Sequence, residues 1–180
     1  MYGPVLQGKL VRLRPLRAED APLMITWFED MEVIRFLTFR NPPTLEFEKE
    51  WVEKAGRDPN SVLWAVEHDD RTVGTTGIHL IDWKNGTGTT GTLIGDKAVW
   101  GKGLARELMQ LRARYAFMEL PLRKLKSGYL DGNEASGRAQ SAAGYKVVGR
   151  HKAEQFFGGT WHDLVITEVM REDWLKGNSV

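Results

Sequence analysis

The stretch that most restricts this chain is Leu93-Ile94-Gly95-Asp96-Lys97-Ala98-Val99-Trp100-Gly101-Lys102-Gly103-Leu104-Ala105. A β-branched strand ends there, a short loop turns, and Gly-x-Gly opens an amphipathic helix. Leu104, Leu108, Leu111, Tyr115 and Met118 recur at three- and four-residue steps and set its apolar stripe. The first turn of such a helix carries N–H groups without intrahelical partners, at the positive end of the dipole. Glycines let an anion approach that backbone closely, which suits a phosphate or pyrophosphate. Taken alone, a Gly-x-Gly is more often a turn and nothing else. Two common phosphate motifs are excluded on residue grounds. The dinucleotide fingerprint needs glycine where Arg106 stands, and the nucleotide P-loop needs Ser or Thr after its lysine, whereas Gly103 follows Lys102.

Around this stretch the periodicity predicts a mixed α/β chain. Residues 9–14 alternate through Leu10 and Leu13 as a half-buried strand. Asp20 is placed to cap a helix carrying Leu23, Met24, Trp27 and Phe28, and a second helix runs from Thr44 to about Gly56, with Glu46 and Glu48 suited to its positive end. Strands are expected over 61–67, 72–80 and 89–95, with a turn at Asp69-Asp70 and a Gly/Asn loop over 82–88. After Pro121 come a strand over 122–129 and a short helix from Asn133, ended by Gly144. Two long strands, 145–157 and 161–170, meet at Gly158-Gly159. One strand–helix–strand unit inside a mostly antiparallel sheet flanked by helices is the expected fold class. No internal linker or repeat interrupts residues 1–180, which read as one domain.

Composition narrows the chemistry. There are no cysteines, so disulfides, thiolate metal sites and a cysteine nucleophile are excluded together, consistent with a reducing cytosol. His68, His79, His151 and His162 are scattered without metal-ligand spacing, and no metal is expected. A net charge of +1 offers no broad attraction to nucleic acid or to an anionic membrane. No apolar run approaches the roughly twenty residues of a membrane span, and the N-terminus lacks a signal peptide's apolar stretch. The expectation is a soluble, cytoplasmic protein, with a homo-oligomer compatible with the sequence.

Trp100-Gly101-Lys102-Gly103-Leu104-Ala105 resembles the coenzyme-A pyrophosphate loop of the GNAT superfamily of N-acetyltransferases, in the branch of the ribosomal-protein and spermidine enzymes. Gly132-Asn133-Glu134-Ala135-Ser136-Gly137-Arg138-Ala139 is similar to that branch's Asn-Glu-x-Ser-x-Arg-Ala segment. Gly144-Tyr145 stands where Gly-Phe is usual, and Arg171-Glu172-Asp173-Trp174 resembles its closing segment. The resemblance keeps its order along nearly the whole chain. It implies a GNAT acyl-CoA N-acyltransferase fold in which strands 89–95 and 122–129 splay apart, with the pantetheine of acetyl-CoA in the gap. Backbone of Thr92, Leu93, Ile94 and Gly95 would hold the pantetheine and polarise the thioester carbonyl. Amides from Trp100, Gly101, Lys102, Gly103, Leu104, Ala105 and Arg106 would hold the pyrophosphate, and Asn133 and Ser136 would contact the cofactor from the following helix. The implied reaction is direct attack by an amine through an oxyanionic intermediate, without metal. The acceptor is a small-molecule amine (a polyamine or an aminoglycoside among them) or a protein N-terminus.

The pattern breaks where protons move. Many family members place a Tyr where Gln140 stands, and the branch often has a Glu near Thr89. Ser136 is then the candidate acid, since related ribosomal-protein acetyltransferases use a Ser at the matching point. Its alternative is a first-turn Ser bonded to backbone. Glu154 is a candidate base but lies beside the matching residue, Gln155, and needs a bulge to face the right way. Asp82 and His79 are further candidates on a loop, Trp83 is a candidate wall of the acceptor pocket, and Glu29, Asp30 and Glu32 a candidate acidic rim. Without a working acid and base, the alternative is a coenzyme-A-binding module that has lost catalysis.

Overall fold

The computed structural model describes residues 1–177. Its strands are Leu6–Gln7 (β1), Arg12–Pro15 (β2), Val62–His68 (β3), Arg71–Asp82 (β4), Thr87–Ile94 (β5), Lys124–Leu130 (β6), Lys146–Phe157 (β7) and Thr160–Met170 (β8). Its helices are Ala21–Phe28 (α1), Leu45–Arg57 (α2), Leu104–Met118 (α3), Glu134–Ala142 (α4) and Arg171–Gly177 (α5). The strands form one sheet in the order β1-β2-β3-β4-β5-β6-β8-β7. Every neighbouring pair is antiparallel except β5 with β6, as expected for a mixed sheet.

Alternation along β3 divides the core into two layers. Val62, Trp64 and Val66 pack in one cluster with Leu104, Leu108, Ala113 and Phe117 of α3. Leu63 and Ala65 point the other way, onto Met24, Trp27 and Phe28 of α1 and Val52 of α2. The sheet therefore separates an α3/α4 side from an α1/α2 side.

The splayed strands are present. β5 and β6 pair only at Thr87↔Lys124, Gly88↔Leu125 and Thr89↔Lys126. Beyond that point side chains replace the ladder: Thr90 Oγ1 donates to Lys126 O at 3.1 Å and Ser127 Oγ to Thr90 O at 3.2 Å. Past these two bonds β5 runs on to Ile94 beside β4, while β6 runs on to Leu130 beside β8.

Several local expectations are corrected. The first long strand begins at Arg12, with Val11 and Leu13 buried and Leu10 43% exposed. The cause is Glu107 in the first turn of α3, whose carboxylate accepts the amides of Lys9, Leu10 and Val11 at 2.7–2.8 Å and so holds the chain before β2. Asp20 precedes α1 but makes no side-chain cap. Its carboxylate accepts both Nη atoms of Arg14, at 2.8 and 2.6 Å, and the amide of Arg17. His79 and Asp82 lie on β4 rather than in a loop, because β4 continues through a bulge at exposed Leu80 (φ +49°). β1 and α5 were not anticipated, being too short to show a period.

Arg112 of α3 is 1% exposed, and among the described residues its partners are all neutral. One Nη donates to Thr76 Oγ1, Gly91 O and Thr92 Oγ1, the other to Tyr145 OH at 3.5 Å, and Nε has no partner. A buried cation without a counter-ion is costly. Thr76 Oγ1 also reaches Gly91 O at 3.0 Å and Thr92 Oγ1 at 3.1 Å, so those groups stay bonded without the guanidinium. Arg112→Met is therefore expected to change unfolding free energy by between zero and about +2 kcal/mol, on the stabilising side. Urea denaturation checks this, and a loss of about 3 kcal/mol would show that the guanidinium holds the sheet.

Candidate functional site

At the end of β5 the chain enters a 3-10 turn, Lys97–Val99, capped by Asp96, whose carboxylate accepts Ala98 N at 2.9 Å. The Trp100 indole donates back to Ile94 O at 2.9 Å and clamps this loop. Gly101 (φ +77°) and Gly103 (φ +86°) occupy the left-handed region that other residues resist. A side chain at Gly101 would meet no atom within 4 Å, and one at Gly103 only Leu10 Cδ1 at 3.9 Å. The space before these glycines is thus open. The helix ladder begins with Glu107 N donating to Gly103 O at 3.3 Å, so the amides of Leu104, Ala105 and Arg106 make no bond to a carbonyl among the described residues. Lys102 and Arg106 are exposed beside them, with no ion-pair partner among the described residues. Free amides, an open approach and two cations fit a pyrophosphate.

The gap beside β5 is also ready for a partner. Thr90 O faces β6, and alternation places the backbone of Thr92 and Ile94 on that same edge. Leu93 and Gly95 face β4 instead, and Gly95 N is already committed to Val73 O at 2.9 Å. Of the four residues expected to hold the pantetheine, geometry favours Thr92 and Ile94, with Ile94 O taken by Trp100.

On the α4 side, Asn133 Oδ1 accepts Ser136 N at 3.2 Å and caps the helix, while its Nδ2 makes no bond among the described residues. Among the described residues, Ser136 does not bond backbone through its hydroxyl. Its Oγ accepts from Gln140 Nε2 at 3.1 Å. Gln140 is 3% exposed, and its Nε2 also donates to Gly128 O while its Oε1 accepts from Thr167 Oγ1. The carbonyl of Gly128 can only accept, which fixes the amide's orientation. With Oγ already accepting, the Ser136 hydrogen is free to point at another acceptor. Gln140 is thus a positioning residue that sequence reasoning saw only as a missing acid. The available signal was its four-residue spacing from Ser136 on one helix.

A cavity of about 810 Å³ opens on the α1/α2 side of the same strand. Gly91, Thr92 and Leu93 of β5 form part of its wall, with His79 of β4 and Glu48 of α2 also lining it. The His79 ring covers Gly77 and Gly91, since a side chain built on Gly91 would meet Nε2 at 3.7 Å. Burial, reinforced by the charge of Arg112, holds the imidazole below its usual 6.5 and therefore neutral near pH 7. Glu48 lies in the first turn of α2, as expected. It is also 5% exposed, has no hydrogen-bond or ion-pair partner among the described residues, and is pushed up by burial. Its sequence signal was an acidic residue four positions before Val52, the fully buried residue of α2.

The remaining candidates fall outside this cavity. Asp82 accepts the amide and Nδ2 of Asn85, which lowers its pKa and makes it a turn anchor. Glu154 does lie in a bulge, between His151 and Gln155, yet its side chain is half-exposed and sits 3.8 Å from His151 Nδ1. Trp83 donates to Pro59 O, and Trp51 lines the cavity in its place. Asp30 and Glu32 pair with Lys97 at 2.7 and 2.8 Å, so they brace the glycine loop rather than rim the cavity.

A family model of the acetyltransferase (GNAT) domain matches residues 11–146. The probable N-acetyltransferase YjcK of Bacillus subtilis is 28% identical over 182 residues, covering 94% of this chain and 98% of its own. The spermidine N-acetyltransferase of Vibrio cholerae, in complex with CoA and spermine, superposes with a TM-score of 0.86 at 18% identity, over 93% of this chain and 99% of that one. The ribosomal L7/L12 α-N-protein acetyltransferase RimL, in complex with coenzyme A, gives 0.83 at 13% identity, over 92% and 97%. No described helix is long and apolar enough to cross a membrane, and no described cluster of His, Cys, Asp or Glu is arranged to hold a metal ion.

Proposed function

Given that this chain belongs to the acetyltransferase (GNAT) domain family, we propose that it moves an acetyl group from acetyl-CoA to an amine. The observation that carries this reading is the single strand β5. One edge of it faces the splayed gap and the glycine loop, and one face of it walls the cavity. Acetyl-CoA supplies an activated acyl thioester. The amides of Leu104 to Arg106, with Lys102 and Arg106, would hold its pyrophosphate, and Thr92 N–H and Asn133 Nδ2 would orient the arm. Coenzyme A bound within the same fold in the Vibrio cholerae and RimL structures supports this choice.

Proton handling follows from the two faces of the sheet. The cavity delivers the amine from the α1/α2 side, where neutral His79 takes its proton. Ser136 stands on the α4 side and passes its hydroxyl proton to the departing sulfur while taking one from a solvent water, so the hydroxyl is regenerated. Base and acid are thus kept apart by the strand between them, which supports catalysis over a silent binding module despite Gln140 and Thr89.

The test is release of CoA thiol from acetyl-CoA across a panel of amines, for the wild type and Gly103→Val. The variant should raise KM for acetyl-CoA at least tenfold, because its side chain fills the open approach to the amides. Strain at the positive φ should cost about 2 kcal/mol, read from a melting curve. An unchanged KM in folded Gly103→Val would remove the pyrophosphate assignment, and absence of thiol release with every amine would remove the reaction.

A further inference from the structure

The walls of the cavity discriminate among amines. Met24, Phe28, Leu37, Phe39, Phe47 and Trp51 give it an apolar and largely aromatic lining. Glu48 is the one acidic residue among its described lining, and no lysine or arginine contributes to it. A carboxylate so placed, 5% exposed and without a partner among the described residues, gains from pairing with a cation that enters the cavity.

We infer that the acceptor is a small monocationic amine on an aromatic or bulky apolar body, an arylalkylamine, whose ammonium is recognised by Glu48. The inference rests on the acetyl-transfer reading of the same cavity and narrows it. A polyamine brings two or more positive charges to a site with one carboxylate, and any further cation it places in the cavity lies against apolar walls. An aminoglycoside brings more hydroxyl groups than the few polar side chains of the lining, Asn41, Thr44 and Thr75 among them, can bond. An aromatic amino acid carries the right ring, but its carboxylate finds no cation in the lining and approaches Glu48 with like charge. The decarboxylated amine avoids all three penalties. The cavity's volume of about 810 Å³ lies in the range of small-molecule sites. Burial pushes the Glu48 carboxyl up from its usual range, and a paired ammonium opposes that shift.

The experiment compares phenethylamine, phenylalanine, spermidine and a peptide with a free N-terminus. Thiol release is measured for each, and phenethylamine binding to the CoA-loaded protein is measured by calorimetry. Phenethylamine should have a kcat/KM at least about tenfold above the other three, roughly the cost of one polar or charged group left unpaired in the cavity. Glu48→Gln should raise KM for phenethylamine about ten- to a hundredfold while leaving KM for acetyl-CoA unchanged. A merely structural glutamate would not separate the two KM values. A melting temperature equal to or above wild type verifies that the variant folds. Faster turnover of spermidine, phenylalanine or the peptide overturns the inference and leaves acetyl transfer standing. So does failure of phenethylamine to bind, or an unchanged amine KM in Glu48→Gln. Binding of phenethylamine without acetylation of any amine has the opposite meaning: the cationic site stands and the acetyl-transfer reading falls.

Discussion

Ser136→Ala is expected to lower kcat about a hundredfold at saturating substrates, with little change in KM for acetyl-CoA. The hydroxyl bonds no backbone group among the described residues, and its Oγ accepts from Gln140, so its hydrogen is left for the sulfur. The cap of α4 is Asn133, which the substitution leaves intact. Gln140 Nε2 keeps Gly128 O, so the cost in stability should stay below about 1 kcal/mol. A serine hydroxyl is a weak acid, and its service comes as the thiolate forms. The measurements are kcat and a melting curve for one preparation. Turnover near wild type with intact folding would mean that the proton reaches the sulfur by another route. Gln140→Leu should show part of the same loss, because it frees the serine rotamer that Gln140 now fixes.

His79→Ala is expected to lower kcat/KM for the amine by a hundredfold or more, the usual contribution of a general base. In the wild type the acid limb of the kcat/KM profile should lie below pH 6.5. Burial first, and then the charge of Arg112, oppose protonation of the ring. Arg112→Met removes the second cause and should move that limb upward, towards 6.5. The same group sets a stability trend. Because the folded pKa is depressed, the unfolded chain takes the proton first. Stability from His79 is therefore complete above pH 6.5 and is lost as pH falls through the folded value. An acid limb unmoved in both His79→Ala and Arg112→Met would assign the base to another group.

The glycine loop was legible because its requirements are local. Positive φ at Gly101 and Gly103, free first-turn amides and a helical apolar stripe are properties of one continuous segment. The same holds for the Asp69-Asp70 turn, with both residues at positive φ, and for Thr44, which caps α2 through Phe47 N. Asn133 as a cap belongs with them. The misplacements share a different cause. Leu10 was read as buried because the alternation is local, whereas its exposure is imposed by Glu107, 97 residues away. Asp20 was read as a cap, but Arg14 reaches it from a neighbouring strand. Asp82 and Glu154 are the right residue type in places that face a turn or solvent.

By itself, the sequence determined the order of the major elements, the strand–glycine–helix unit with its suitability for a pyrophosphate, and the absence of thiol chemistry. These follow from backbone conformation and from short periods, which neighbouring residues fix. Only the tertiary structure decided which polar groups are deprived of water. Glu48 looks like any helix-start glutamate until α2 is laid against the sheet, and His79 like any strand histidine until Gly77 and Gly91 leave room for its ring. Gln140 becomes a clamp for Ser136 only when Gly128 and Thr167, from two other strands, meet its amide. Desolvation and orientation depend on what distant segments bring to within a few ångströms, and one-dimensional spacing does not encode them.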